Sequence, residues 1–236
     1  MTLLSVCQEV ADAIGLTRPT SIASSTDQLS RQMLVYARQT LAELSRMDWP
    51  TLQTPFEFDT VVGQQKYPIP TDFGRQIGDT MYLSSQYYQL RGSLSSTEWA
   101  RQRGSFPTNL GRYKFRTYGL PQMIYIQPIP QTVEHITLEY TTTNNVKQAN
   151  GQLTYQYGLD NDTALLSEEL VAEGLNWRIR RAKGLAYEEE FNDYEVNRYQ
   201  VLAQMLNMGS LPVAYRRMIE SPEIPIGYIP ENGYGQ

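Results

Sequence analysis

Apolar residues recur at helical spacing near both ends of the chain and at alternate positions through its middle. Leu3, Cys7, Val10, Ala11 and Ile14 fall at i, i+4, i+7, i+8 and i+11, one face of a 3.6-residue period. Gly15 stands where a left-handed helix cap is expected. A polar link over residues 17–26 follows, and Ser25 and Gln28 have the spacing of a capping box. Leu29, Met33, Tyr36, Ala37, Leu41 and Leu44 then continue a second helix. It is predicted to close at Trp49-Pro50, because the residue before proline is biased out of the helical region.

From residue 51 the period falls to two. Phe56 and Phe58 alternate with Glu57 and Asp59, the pattern of a half-buried strand. Prolines at 68 and 70 restrict the next segment to a sheet edge or an extended connector. Further strands are predicted over residues 80–83, 87–90, 113–117, 123–127 and 135–140, with a short helix starting at Ser95. Helical spacing returns after Ser167. Leu170, Val171, Leu175, Ile179, Ala182, Leu185 and Ala186 track one face. Tyr194, Tyr199, Leu202, Met205 and Leu206 carry a second stretch, ended by residues 207–210. One long helix or two would satisfy the pattern, since only Gly184 interrupts it. The reading is an α+β fold. A helical bundle is contributed by residues 1–50 and 161–208, with an antiparallel β module inserted at 51–160 and a segment apart at 209–236.

That last segment holds Pro212, Pro222, Pro225 and Pro230, which disfavour helix and ladder alike. It also holds Tyr215, Ile219, Ile224, Ile226, Tyr228 and Ile229, too many apolar residues for a solvated linker. An extended arm that docks on another surface accounts for both facts; a frayed terminus accounts only for the prolines.

Composition narrows the function. The 236 residues carry a net charge of -5, whereas proteins that grip nucleic acid by its phosphates usually carry a basic excess. The basic stretches Arg112-Tyr113-Lys114-Phe115-Arg116 and Arg178-Ile179-Arg180-Arg181 read as solvated or subunit-pairing charge. The longest apolar run, Met123-Ile124-Tyr125-Ile126, is far short of the roughly 20 residues of a membrane span. The N-terminus lacks the basic region of a signal peptide. Cys7 is the single cysteine, which fits a reducing compartment. Seventeen tyrosines suggest contact surfaces, because tyrosine is large, rigid and amphipathic.

Catalytic chemistry finds little to stand on. His135 is the only histidine and reads as a partly exposed strand position beside Thr137. Cys7, on an apolar helix face, reads as a small buried hydrophobe. One His and one Cys fall short of a zinc site, and no catalytic, metal or cofactor residue is assigned. Asp160-Asn161-Asp162 starts like a calcium loop but has Leu165 at the sixth position and Val171 at the twelfth, so it reads as a turn. The acid runs Glu168-Glu169 and Glu188-Glu189-Glu190 lie on helices, where adjacent residues point apart and are usually solvated.

At Tyr67-Pro68-Ile69-Pro70-Thr71-Asp72-Phe73, preceded by a glycine turn at Gly63-Gln64-Gln65-Lys66, the sequence resembles the head-to-tail adaptors of tailed bacteriophages. These are the tail accessory factors and tail tubular proteins of short-tailed phages. Ile124-Tyr125-Ile126-Gln127-Pro128-Ile129-Pro130 and Ile136-Thr137-Leu138-Glu139-Tyr140 are similar to that family's paired late strands. The resemblance implies a non-catalytic virion protein of the neck, made in the host cytoplasm and assembled as a ring of twelve copies between portal and tail. It further implies helices in the ring wall and a β module facing the tail nozzle or fibre proteins. Genomic DNA would pass through the lumen without specific binding, and a C-terminal arm would reach the portal. Residues 209–236 fit that arm, with Tyr215, Ile219, Ile224, Ile226, Tyr228 and Ile229 as its anchors. A tail tube or fibre-attachment protein, or a virion-associated peptidoglycan hydrolase, are the alternative expectations.

Overall fold

A computed structural model of the chain describes residues 1–85, 88–104 and 112–206. Thr2 opens helix α1 (Leu3–Ile14) by accepting from the Ser5 amide, and Gly15, at φ 75°, closes it. Helix α2 (Gln28–Leu44) differs from expectation at both ends. Its cap is Asp27, whose carboxylate accepts from the Ser30 amide at 3.2 Å, while Ser25 accepts from the Asp27 amide one turn earlier. Aspartate caps as well as serine and adds a charge that favours the helix N-terminus. The helix stops at Leu44 because Trp49 folds back over it. The fully buried indole donates to the Leu44 carbonyl at 2.6 Å, satisfying one of the orphan acceptors of the last turn.

A single turn of 3-10 helix (Pro50–Leu52) leads into the strands. They are β1 (Gln53–Asp59), β2 (Lys66–Pro68), β3 (Phe73–Gln76), β4 (Tyr82–Leu83) and β5 (Tyr88–Gln89), then, after helix α3 (Ser96–Gly104), β6 (Lys114–Tyr118), β7 (Met123–Gln127), β8 (His135–Thr142), β9 (Val146–Lys147), β10 (Leu153–Thr154) and β11 (Thr163–Ala164). Strand β8 organises the largest sheet. It pairs antiparallel with β1 on one side and with β3 and β4 on the other, and β5 extends β4. A second sheet runs β2-β7-β6, with the proline-bearing β2 at its edge. A small third sheet, β10-β9-β11, lies next to the helices in sequence. Residues from the first two sheets meet in one core: Leu83, Ile136, Leu138 and Tyr140 pack with Tyr67, Phe115, Ile124 and Ile126.

The helical spacing after residue 167 resolves into two helices, α4 (Glu168–Lys183) and α5 (Glu188–Met205). Gly184, at φ 71°, ends α4, and the amides of Gly184 and Leu185 bond back to the carbonyls of Arg181 and Arg180. Leu185 and Ala186 consequently leave the apolar face, and they and Ala182 are exposed. Helices α1, α2 and α4 share the second core with Trp49, Val146, Tyr157 and Tyr194. Gly174 makes the α2–α4 approach possible: a Cβ there would lie 2.3 Å from the Thr40 methyl.

The Asp160–Asp162 turn ties the ends of the bundle together. Leu3 and Leu4 amides, orphans of the first turn of α1, donate to the carbonyls of Asp162 and Asp160 at 2.8 and 3.1 Å. The Asp160 carboxylate accepts from the Ile22 and Ala23 amides and the Ser21 hydroxyl. Burial pushes its pKa up, but these donors outweigh it and hold the group below the usual value. Asp162, fully buried, accepts from the amides of Gly158 and Leu159.

Candidate assembly surfaces

The residues with intrinsic chemistry are placed as structure. Cys7 is buried in the bundle core, and burial, with Asp160 adding to it, pushes its thiol up to about 12. Such a thiol is not a nucleophile at neutral pH. His135 is a half-exposed position on β8, with Nδ1 2.8 Å from Asp59 and Nε2 3.6 Å from Glu57 across the strand pair. Its hydrogen bond to Asp59 raises the imidazole pKa. Glu168 meets the Met1 amino group, and Glu190 pairs with Arg180 at 2.8 Å. Among the described residues no group of three or more His, Cys, Asp and Glu is placed to hold a metal ion, and no helix is long and apolar enough to cross a membrane.

The tyrosine-proline motif at 67–73 is structural. The Tyr67 hydroxyl accepts from the Val61 amide at 3.1 Å and donates to the Gln64 carbonyl at 2.8 Å, closing the glycine turn that precedes it. Asp72 accepts from the Tyr140 hydroxyl at 3.0 Å and the Thr142 hydroxyl at 2.8 Å. Burial and this carboxylate together push the Tyr140 phenol up to about 12. Phe73 stacks on Tyr140 with ring centroids 5.2 Å apart. Tyr67 therefore closes the turn ahead of β2, and Asp72 and Phe73 fasten the crossing from β2 to β3 onto β8.

The second basic stretch is not wholly solvated. Arg178 is largely covered between helices, paired with Glu43 and donating to the Thr40 hydroxyl and the Gly174 carbonyl. Arg198 of α5 reaches the other oxygen of Glu43 at 2.7 Å and Glu195 at 2.5 Å. Glu43 thus joins α2, α4 and α5 through a single carboxylate. Sequence reading missed it, although its place beside Thr40 and Leu44 at the margin of an apolar stripe was a signal. The first basic stretch is engaged too: Arg112 lies over Tyr88, Lys114 donates to Gln102, and Arg116 lies over Tyr118.

What remains open is surface. Tyr67, Tyr140, Tyr157 and Tyr194 are buried, whereas Tyr82, Tyr155 and Tyr199 are exposed. Helix α5 has one fully buried residue, Tyr194, and exposes Phe191, Val196, Tyr199 and Met205. Thr26, just ahead of α2, and Gln28, Arg31, Gln32, Val35 and Tyr36 on it line an open groove of about 310 Å³. Tyr215, Ile219, Ile224, Ile226, Tyr228 and Ile229 lie outside the described residues.

A family model described as SU10 adaptor protein matches residues 1–221. The chain belongs to the SU10 adaptor protein family. No curated protein matches it significantly. The adaptor is therefore a bacteriophage structural protein of the virion, with other virion proteins as its partners. The family match runs past α5 far enough to take in Tyr215 and Ile219 and ends before Ile224.

Proposed function

We propose that this adaptor sits in the neck of a short-tailed phage as a tail accessory factor, forming a closed ring between the portal and the tail. The observation that carries the reading is the family match over nearly the whole chain. The structure adds a helical bundle whose last helix buries little of itself. Genomic DNA passes through the ring lumen, and the net charge of -5 suits a channel in which DNA slides without sticking. The bundle (1–50 and 161–208) forms the ring wall, the β module (51–160) faces the nozzle or fibre proteins, and the arm (209–236) reaches the portal. Tyr215, Ile219, Ile224, Ile226, Tyr228 and Ile229 anchor that arm. Many weak contacts repeated around the ring supply the affinity.

The test is the mass of the purified protein by light scattering, alone and with the portal ring of the same phage. A stoichiometric ring of adaptor on the portal is expected, and deletion of residues 211–236 should abolish it. A full-length chain that leaves the portal mass unchanged would sink the reading; a truncated chain that still binds would sink the arm.

A further inference from the structure

Two exposed helix faces in this molecule carry the same series of chemistry with opposite charge. On α2, Arg31, Val35 and Gln39 lie one turn apart and are all exposed. On α5, Asp193, Val196 and Gln200 lie one turn apart and are all exposed. Both series run from the N-terminal end as charge, valine, glutamine. The side chains of Arg31, Glu189 and Asp193 make no hydrogen bond or ion pair among the described residues. The charges of the two helices complement each other more widely. Helix α5 contains Glu188, Glu189, Glu190, Asp193 and Glu195, and its one cation, Arg198, is already bonded to Glu43 and Glu195. Helix α2 offers Arg31, while Arg38 is turned onto the Tyr157 carbonyl and its one acid, Glu43, is bonded inward.

Each face also lacks something that a partner would supply. Helices in proteins owe most of their stability to packing of an apolar face. Helix α5, 18 residues long, buries one side chain completely and leaves Val196 and Tyr199 more than half exposed. The α2 face is concave, and Val35 and Tyr36 form the apolar part of its groove.

We infer that the outer face of α5 in one copy docks into the α2 groove of the next copy, with Asp193 and Glu189 meeting Arg31, and Val196 and Tyr199 covering Val35 and Tyr36. The inference deepens the ring reading above and rests on it. The two patches are different surfaces of one chain, so the contact is heterologous, and a heterologous contact that rotates by a fixed angle closes into a ring. An isologous pair would stop at a dimer.

Charge exchange in the full chain tests it, read as the concentration at which rings form on the portal. Arg31→Glu alone and Asp193→Arg alone should each raise that concentration about tenfold or more, because the defect recurs at each interface. Combining Arg31→Glu with Asp193→Arg should restore assembly most of the way, which a merely structural defect would not do. Both side chains are exposed and, among the described residues, unpaired, so the thermal unfolding of each variant alone should match the original chain. A second measurement combines Val35→Cys and Val196→Cys in the same chain. The buried Cys7 stays silent, and a short bifunctional thiol cross-linker should give a ladder of dimer, trimer and higher species. Rings that form normally with either single exchange, or that yield no ladder, overturn this interface and leave the ring itself standing. An unaltered chain that never forms a ring overturns both.

Discussion

Helices α4 and α5 are neighbours of similar length, both begin with acids, and a four-residue link opened by Gly184 separates them, yet they do opposite work. Helix α4 buries Leu170, Val171, Gly174, Leu175, Trp177 and Ile179 and touches α1, α2 and α5. Helix α5 buries Tyr194 and rests on α4 alone as a principal contact. The difference lies in the stripe. In α4 apolar residues occupy adjoining turns of one face, whereas in α5 Phe191, Tyr194, Val196, Tyr199 and Leu202 are scattered around the cylinder. Beyond Tyr194, the edge of Phe191 on Trp177, and Val201 and Leu202 against the core, what holds α5 to the body is polar: Arg198 to Glu43, Asn197 to Glu173 at 2.8 Å, and Glu190 to Arg180. Apolar packing defines the inside of the subunit, and the residues left over are available to a partner.

The sharpest test sets one leucine against one valine. Leu175→Ala should cost about 3 kcal/mol of stability through lost burial and a cavity. Val196→Ala should stay within about 0.5 kcal/mol, as for exposed positions generally. Urea unfolding of both variants checks this, and similar losses would erase the contrast. Glu43→Ala comes next. It strands the guanidinium of Arg178 between helices and should cost about 2 kcal/mol, less than a wholly buried pair because Glu43 keeps 30% exposure. Equal stability in the variant, measured the same way, would mean that packing alone seats α5. Gly184→Ala should cost about 1 kcal/mol, the strain of a Cβ in the left-handed region at φ 71°. An unchanged midpoint would show that the α4–α5 boundary lies elsewhere.

The smallest effect lies outside both helices and serves as a baseline. The bond to Asp59, with the charges of Asp59 and Glu57, raises the pKa of His135 above its ordinary value of about 6.5. A raised folded pKa gives a stabilisation that is complete below the unfolded value and lost as pH rises through the folded one. With a single histidine in the chain, one imidazole NMR titration reads it directly. The midpoint should exceed 6.5 and fall in Asp59→Asn. A midpoint at or below 6.5 in the unaltered chain would contradict the pairing.

The α+β class and the order of helices and longer strands were legible because each rests on several periodic residues. Phe56 and Phe58 marked β1, Met123 to Gln127 marked β7, and Gly15 and Ser167 marked helix ends. Strands β9, β10 and β11 escaped because each is two residues long within a mostly polar stretch, whereas the equally short β4 and β5 were marked by the apolar residues Met81, Leu83 and Leu90 around them. Strand β3 escaped because Gly74 sits at a register shift that breaks the alternation. Trp49 appeared to end a helix and instead caps one from five residues downstream. The inward turn of Arg178 was hidden by its neighbours, since a run of arginines reads as one solvated face although successive helical positions point apart. The assembly surfaces were the least legible: exposure of Val35 and Val196 follows from which faces α4 takes, and periodicity alone does not rank faces.

The turn at Asp160–Asp162 has a consequence for how the chain is made. The amides of Leu3, Leu4, Ile22 and Ala23 acquire their acceptors only from residues some 140–160 positions later. At about 5–20 residues per second, the first two helices leave the ribosome roughly 7–30 s before α4 can cover Val10, Met33 and Leu41. During translation the strand segment emerges into that interval and can pack β1 against β8 first. The N-terminal helices, first out of the exit tunnel, are thus expected to be among the last to reach their native burial, and in that interval their apolar stripe is a natural client for a host chaperone.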